Sequence, residues 1–204
     1  MSFLNNPIAQ KYPVNVSGIE NTPGVDPMAL QVLQRELRGL GGFGSAVSFN
    51  SWCRGAISAW GRAFPERLGA TEMWSEVISR IDNGERDRAG LEPIKTPWGG
   101  VSVVIHSPPH IEKYLAIKSG GYLAFETHER KEEQLRVMEG AGLLIYRAER
   151  DAPLQLKVLV PGAEASFAPG QEHCIVGTED LLVYETSADY KGMDKDLIFI
   201  FMPE

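Results

Sequence analysis

Several features that would place this chain in a special class are scarce or missing. It has only two cysteines, Cys53 and Cys174, in 204 residues, too few for a disulfide-stapled fold and typical of reduced thiols. No apolar run approaches the roughly 18 residues that a membrane span needs. The net charge of −7 argues against a general nucleic-acid binder. We therefore expect a globular protein with no nucleic-acid or membrane partner and, because the N-terminus shows no secretion signal, a cytoplasmic one.

Residues 26–90 are predicted to be helical. Asp26 and Pro27 are typical of a helix start, and leucines follow at helical spacing. Aromatic and aliphatic residues predict two more amphipathic helices over 49–64 and 71–82. Such helices need an apolar surface to cover. They are expected to pack on the rest of the fold, to cover its binding site or to form an oligomer interface.

The chain from residue 91 to residue 204 has the pattern of short strands. Apolar residues recur with a period of two, and Pro and Gly separate the runs. The predicted strands cover 101–106, 111–118, 122–127, 134–138, 142–148, 154–160, 163–168, 173–177, 181–186 and 197–202. Many short strands at even spacing indicate a β-sandwich or a β-barrel.

The residues with the most distinctive chemistry lie in the stretch 120–140. Glu126 and His128 point to one face of a strand, because side chains alternate. If the next run folds back as a hairpin, Glu133 comes opposite His128. His173, from a distant segment, is the obvious fourth member. Carboxylate and imidazole ligands suit Zn, Mn, Fe(II), Ni or Co, and the sequence does not choose among these metals.

Two segments resemble the paired signatures of the cupin superfamily. The first, G-x5-H-x-H-x4-E-x6-G, keeps every spacing at Gly120, Glu126, His128, Glu133 and Gly140. Glu126 stands where the first histidine is usual. The second, G-x5-P-x-G-x2-H-x3-N, is matched at Gly162, Gly170 and His173. The resemblance covers roughly residues 95–204.

This resemblance implies a mainly β fold. It predicts a cupin-type jelly-roll β-barrel over 91–204. The helical spacing adds an α-helical N-terminal extension over 26–90, and the prolines and asparagines before it predict an extended arm over 1–25. Cupins often add such arms to a partner's sheet, so a homodimer is also implied. The resemblance further implies a divalent metal ion held by Glu126, His128, Glu133 and His173.

A closer resemblance starts at the PWG tripeptide, residues 97–99. With the following KYLAIKSGGYLAFETHERKEEQLRVMEGAG, it is similar to the cupin domain of type II mannose-6-phosphate isomerases. This implies a small carbohydrate-like ligand and aldose–ketose isomerisation of a sugar or sugar phosphate. Glu126 and His173 are then candidate catalytic bases. The candidate substrate-binding cations are Lys113, Lys118 and Arg136.

Two other function classes remain open. One is an Fe(II)-dependent cupin dioxygenase, against which Glu126 in the place of a histidine weighs. The other is a non-catalytic ligand-binding or assembly cupin that uses its helices as the interaction surface. Metal content separates the classes. Iron favours the dioxygenase, Zn or Mn with sugar-phosphate turnover favours the isomerase, and no metal favours the binding protein.

Overall fold

The computed structural model describes residues 12–149 and 152–204, which are mainly β with three α-helices. The helices are α1 (Pro27–Leu40), α2 (Ala46–Ala63) and α3 (Glu72–Asn83). The strands are β1 (Tyr12–Asn15), β2 (Gly42–Phe43), β3 (Ile94–Thr96), β4 (Gly99–Ser107), β5 (His110–Ile117), β6 (Phe125–His128), β7 (Glu132–Glu139), β8 (Gly142–Arg147), β9 (Leu154–Leu159), β10 (Glu164–Phe167), β11 (Glu172–Gly177), β12 (Leu181–Ala188) and β13 (Leu197–Phe201). No helix in the described ranges is long and apolar enough to cross a membrane.

All ten predicted strands are present as β4 to β13, with ends that differ by a few residues. They form two facing sheets, one with the order β13-β6-β11-β8-β9-β1-β2 and the other with the order β10-β7-β12-β5-β4-β3. Eight of these strands pair as β6-β11-β8-β9 in one sheet and β10-β7-β12-β5 in the other, which is the strand order of a jelly roll. This is the fold that the cupin resemblance implied.

The helices begin and end where local chemistry dictates. The Asp26 side chain accepts a hydrogen bond from the Met28 amide, and Pro27 is the first helical residue of α1. Helix α2 starts three residues earlier than predicted, because Ser45 and Ser48 form a capping box. Helix α3 ends at Gly84, whose left-handed backbone suits a residue without a Cβ.

The helices and the two sheets form three apolar layers. Helices α1 and α2 cover the outer face of the seven-stranded sheet, with Phe49, Trp52 and Trp60 buried against it. The second layer fills the space between the sheets. The third lies where α3 packs on the outer face of the six-stranded sheet at Ala116 and Leu182. The helices thus act as packing layers on the outside of the jelly roll.

The predicted arm over residues 1–25 is only partly described, because residues 1–11 lie outside the described ranges. In the described part, β1 pairs in parallel with β9 and antiparallel with β2 of the same chain. These short strands were not predicted, since they are too brief to show a period. The role of the arm in a homodimer stays a prediction.

Candidate functional site

A cavity of about 490 Å³ opens between the two sheets. One end is charged, and its carboxylates and cations come from β5, β6, β7, β11, β12 and the loops next to them. The remaining walls are apolar and include Trp98, Leu123, Ile175, Phe199 and Met202. No residue of α1, α2 or α3 is among its lining residues in the described chain. The cavity therefore has mainly apolar walls and one charged end.

The four residues that the sequence predicted as ligands meet at the charged end of the cavity. Glu126 and His173 are directly opposite each other on the paired strands β6 and β11. The Nε2 atom of His173 lies 2.7 Å from Oε1 of Glu133. The Nε2 atom of His128 lies 3.6 Å from Oε2 of Glu133. All four side chains line the cavity, and the period-two pattern correctly placed Glu126 and His128 on one face of their strand.

The predicted hairpin between the strands of His128 and Glu133 is wrong. Strand β6 belongs to the seven-stranded sheet, whereas β7 belongs to the facing six-stranded sheet. The turn between them crosses from one sheet to the other, so the two side chains meet across the interior. They are close for a different reason than the sequence suggested.

A buried lysine occupies the centre of this group. Lys131 is only 2% exposed, and its Nζ atom lies 2.7 Å from Oε2 of Glu133 and 2.6 Å from Oε1 of Glu185. It donates a 2.6 Å hydrogen bond to Oδ1 of Asp194. Its fourth neighbour is Nε2 of His128, at 3.5 Å. An ammonium ion enclosed by three carboxylates and an imidazole is the main electrostatic feature of the site.

Two neighbouring contacts fix the imidazoles. The Nδ1 atom of His128 lies 3.0 Å from Oδ1 of Asp196, which turns Nε2 towards the cavity. The ring of His173 stacks on Phe167 with the ring centroids 4.2 Å apart. The Nδ1 atom of His173 is buried and has no hydrogen-bond partner in the described chain. The orientation of both rings is therefore set by packing and by carboxylates.

The buried charges shift the pKa values of the group in opposite directions. Burial alone opposes the charge of Lys131, but Glu185, Glu133 and Asp194 outweigh it and raise the pKa of the ammonium. Burial also opposes the ionised form of Glu133, but His173 and Lys131 hold the pKa of this carboxyl well below its usual range. Burial likewise disfavours a charged His173, and Glu133 overrides it and raises the imidazole pKa.

Glu126 differs from the other carboxylates of the site. Its side chain is half-buried at the charged end of the cavity, and no hydrogen bond or ion pair to another described residue holds it. Burial raises the pKa of Glu126 to about 7, and the neighbouring His173 only partly offsets that effect. A cavity-facing carboxyl group whose pKa is raised to about 7 suits general acid–base catalysis.

The predicted metal ligands do not form a metal site in this arrangement. Among the described residues, no group of three or more His, Cys, Asp or Glu side chains is placed to hold a metal ion. The ammonium of Lys131 lies among the donor atoms instead. A divalent ion about 4 Å from that ammonium would be repelled by about 8 kcal/mol at an effective dielectric constant of about 20. The donor set therefore fits Lys131 and does not fit an added metal.

Only one of the three predicted substrate-binding cations lines the cavity. Lys113 does, but its Nζ atom lies 3.3 Å from Glu185 and hydrogen-bonds to Asp194. Lys118 follows the end of β5 and is exposed. Arg136 points to the outer face of β7, because it is an odd number of residues from Glu133, and it is exposed near Glu164. Lys118 and Arg136 thus lie outside this cavity, and their role in substrate binding stays a prediction.

Four charged residues at this end of the cavity were not predicted from the sequence. Lys131 continues the inward period of Glu133 one step towards the N-terminus, so alternation is the signal that could have identified it. Glu185 lies between inward-facing Val183 and Ser187 on β12 and shows the same period. No sequence signal identifies the other two, Asp194 and Asp196, which lie in a loop before β13.

The raised pKa of Glu126 predicts a stability difference that depends on pH. Unfolded, the carboxyl ionises near 4.5, and folded near 7, so folding stability is lost as pH rises between these values. The full difference between the two pKa values corresponds to a change in unfolding free energy of at most about 3 kcal/mol. We expect Glu126→Gln to gain about 1–2 kcal/mol of unfolding free energy relative to the wild type between pH 5 and pH 8. Urea denaturation across this range measures the gain, and parallel curves would contradict the assignment.

No family model matches this chain, and no curated protein matches it. Several solved structures are similar to part of it. The capsular polysaccharide assembling protein CapF from Staphylococcus aureus is 17% identical with a TM-score of 0.48, covering 54% of this chain and 34% of CapF. KdgF from Halomonas sp. is 22% identical with a TM-score of 0.41, covering 46% of this chain and 82% of KdgF.

A third similar structure is the oxalate decarboxylase of Lactobacillus farciminis in a formate complex. It is 18% identical with a TM-score of 0.46, covering 54% of this chain and 33% of that one. The chain thus spans about a third of the length of CapF and of this decarboxylase. None of these likenesses assigns the chain a substrate or a reaction.

Proposed function

We propose that this protein is a cupin-type enzyme that transfers a proton within a small carbonyl compound bound between its two sheets. The observation that carries the proposal is the Glu126 carboxyl. It faces the cavity, no other described residue holds it by a hydrogen bond or an ion pair, and its pKa is about 7. As a carboxylate it would accept a proton from the carbon next to the carbonyl. As the acid it would return that proton to a neighbouring atom.

His173 supports this reaction from the opposite strand. Its imidazole is directly across from Glu126, and Glu133 favours its protonated form. A protonated imidazole beside the reacting carbonyl would stabilise the negative charge that develops on the oxygen. The two catalytic candidates of the sequence analysis thus take separate roles. Glu126 moves the proton and His173 stabilises the charge.

The apolar walls narrow the class of substrate. A molecule with a hydroxyl group on every carbon would leave many of these groups without hydrogen-bond partners along Leu123, Ile175 and Phe199. A compound with one polar end avoids this cost. The aldose–ketose isomerisation suggested by the mannose-6-phosphate isomerase resemblance is a proton transfer of the same kind. A sugar phosphate fits less well, because Lys113 is already paired and Lys118 and Arg136 lie elsewhere.

Solvent deuterium exchange tests the proposal without knowledge of the product. Small 2-oxo and 2-hydroxy compounds with aliphatic or aromatic bodies, free aldoses and ketoses, and sugar phosphates would be incubated with the protein in deuterium oxide. Proton NMR then follows the hydrogen next to the carbonyl. We expect exchange with at least one compound of the first group, at a rate that rises with a midpoint near pH 7 as Glu126 ionises.

The matched pair Glu126→Gln and Glu129→Gln assigns this exchange. Glu126→Gln is expected to slow it by about 100-fold or more while the ligand still binds. Glu129 is exposed on the turn after β6, so Glu129→Gln should leave the rate unchanged. Binding without exchange in the wild type would overturn the proposal in favour of a non-catalytic binding protein.

A further inference from the structure

Lys131 is a buried cation whose surroundings can be described independently of the proposed proton transfer. Its ammonium is 2% exposed and has carboxylate oxygens of Glu133, Glu185 and Asp194 within 2.7 Å. The neighbours come from β7, β12 and the loop before β13, so three separate parts of the chain converge on one cation. The ammonium donates a hydrogen bond to Asp194, and Glu133 and Glu185 lie within ion-pair distance.

The residues around this ammonium have the chemistry of a metal centre. His128 directs Nε2 towards it at 3.5 Å, while Nδ1 lies 3.0 Å from Oδ1 of Asp196. A carboxylate on the remote nitrogen of a histidine is the arrangement that orients metal-bound imidazoles. Glu185 and Asp194 supply oxygen atoms at 2.6 Å from the cation, and Glu133 supplies one at 2.7 Å. The site thus keeps oriented donors but encloses a cation that belongs to the chain itself.

We propose that Lys131 is the resident cation of this site, so that the native protein works without a divalent metal and the loss of this side chain opens a metal site. A divalent ion and the ammonium compete for the same carboxylates, and each repels the other. The role of Lys131 is positioning. Its ammonium lies 2.7 Å from the Glu133 carboxylate, which in turn lies 2.7 Å from His173.

Metal titration of matched variants tests this proposal. Wild type, Lys131→Ala, Lys131→Arg and Lys195→Ala would be purified without chelator or affinity nickel. Each would be dialysed against Mn²⁺, Co²⁺ or Zn²⁺ and measured by elemental analysis. Lys131→Ala removes both the charge and the obstructing side chain, and Lys131→Arg keeps the charge. Lys195→Ala removes an exposed lysine from the same loop.

We expect Lys131→Ala alone to bind about one ion per chain, with an affinity at least about 100-fold above that of the wild type. His128→Ala in the Lys131→Ala background should abolish the gain. A wild type that holds about one ion per chain and loses it on His128→Ala would overturn the proposal. A folded Lys131→Ala that binds no better than the wild type would also overturn it.

Two further outcomes are also decisive. If Lys131→Ala folds only when a divalent ion is added, the ion replaces the ammonium and the proposal is supported. If Lys131→Ala stays unfolded with and without metal, the wild-type titration decides. A wild type that is purified without metal and binds none after dialysis against metal supports Lys131 as the resident cation. The metal titration does not depend on deuterium exchange. Failure of the proposed proton transfer would therefore leave the outcome of the titration unchanged.

Discussion

We expect Glu133→Gln to lower the free energy of unfolding by about 3–5 kcal/mol, the range seen when one partner is removed from a buried ion pair. The Glu133 carboxylate is within 2.7 Å of both Lys131 and His173. Glutamine keeps the shape but not the charge, so a buried ammonium and a buried imidazole lose their shared counter-ion. Urea denaturation at pH 7 measures the change.

Two comparisons separate this effect from a general cost of substitution. Glu132 precedes Glu133 on β7 and points outward into solvent, so Glu132→Gln should change stability by no more than about 0.5 kcal/mol. The effect of Glu133→Gln should also shrink with acid. Because the folded-state pKa of Glu133 is depressed, its contribution is present above about 4.5 and is lost as pH falls. Equal effects for the two variants would show that the charge network does not stabilise the fold.

The second large effect is expected at Asn50, which is fully buried in α2. Its Nδ2 group donates to the carbonyl oxygen of Met202 at 3.0 Å. Its Oδ1 atom accepts from the Tyr122 hydroxyl at 2.7 Å and from the Glu204 amide at 2.9 Å. Asn50→Ala leaves these groups without partners, which is expected to cost about 2–4 kcal/mol. Thermal and urea denaturation measure the loss.

A double-mutant cycle with Tyr122→Phe identifies the cause. Removing the hydroxyl and the amide together should cost less than the sum of the two single variants, because Asn50→Ala no longer leaves a buried hydroxyl unsatisfied. Met202 and Pro203 line the cavity, so Asn50→Ala should also weaken ligand binding at a site that it does not touch. Additive losses, with unchanged ligand affinity, would show that α2 does not hold the cavity rim.

The sequence predicted the inward and outward faces of the strands better than it predicted their partners. Alternation placed Glu126 and His128 on the same face of one strand, and both line the cavity, because a strand has an exact period of two. The same pattern carries no information about which sheet the next strand joins. The hairpin between β6 and β7 was therefore wrong, although its two side chains do meet.

Local patterns also failed where a residue acts through distant contacts. The helix predicted over 71–82 begins one residue later, at Glu72, and the side chain of Thr71 before it makes no capping hydrogen bond. Lys131 lies in a run of charged residues that is typical of a solvated turn, and only the carboxylates of β12 and of the loop before β13 make its burial favourable. Charge compensation of this kind is set by tertiary structure, so the sequence near Lys131 cannot show it.

Strand β11 is buried along its whole length, because α2 covers its outer face and the cavity wall covers its inner face. Strand β6 is shorter and lies beside the edge strand β13, where Ile198 and Phe199 are exposed. The local free energy of opening should therefore be high at His173 and lower around Glu126. A ligand is then expected to reach the cavity past the edge strand β13 and its neighbour β6, which carries Glu126, while β11 holds His173 in place.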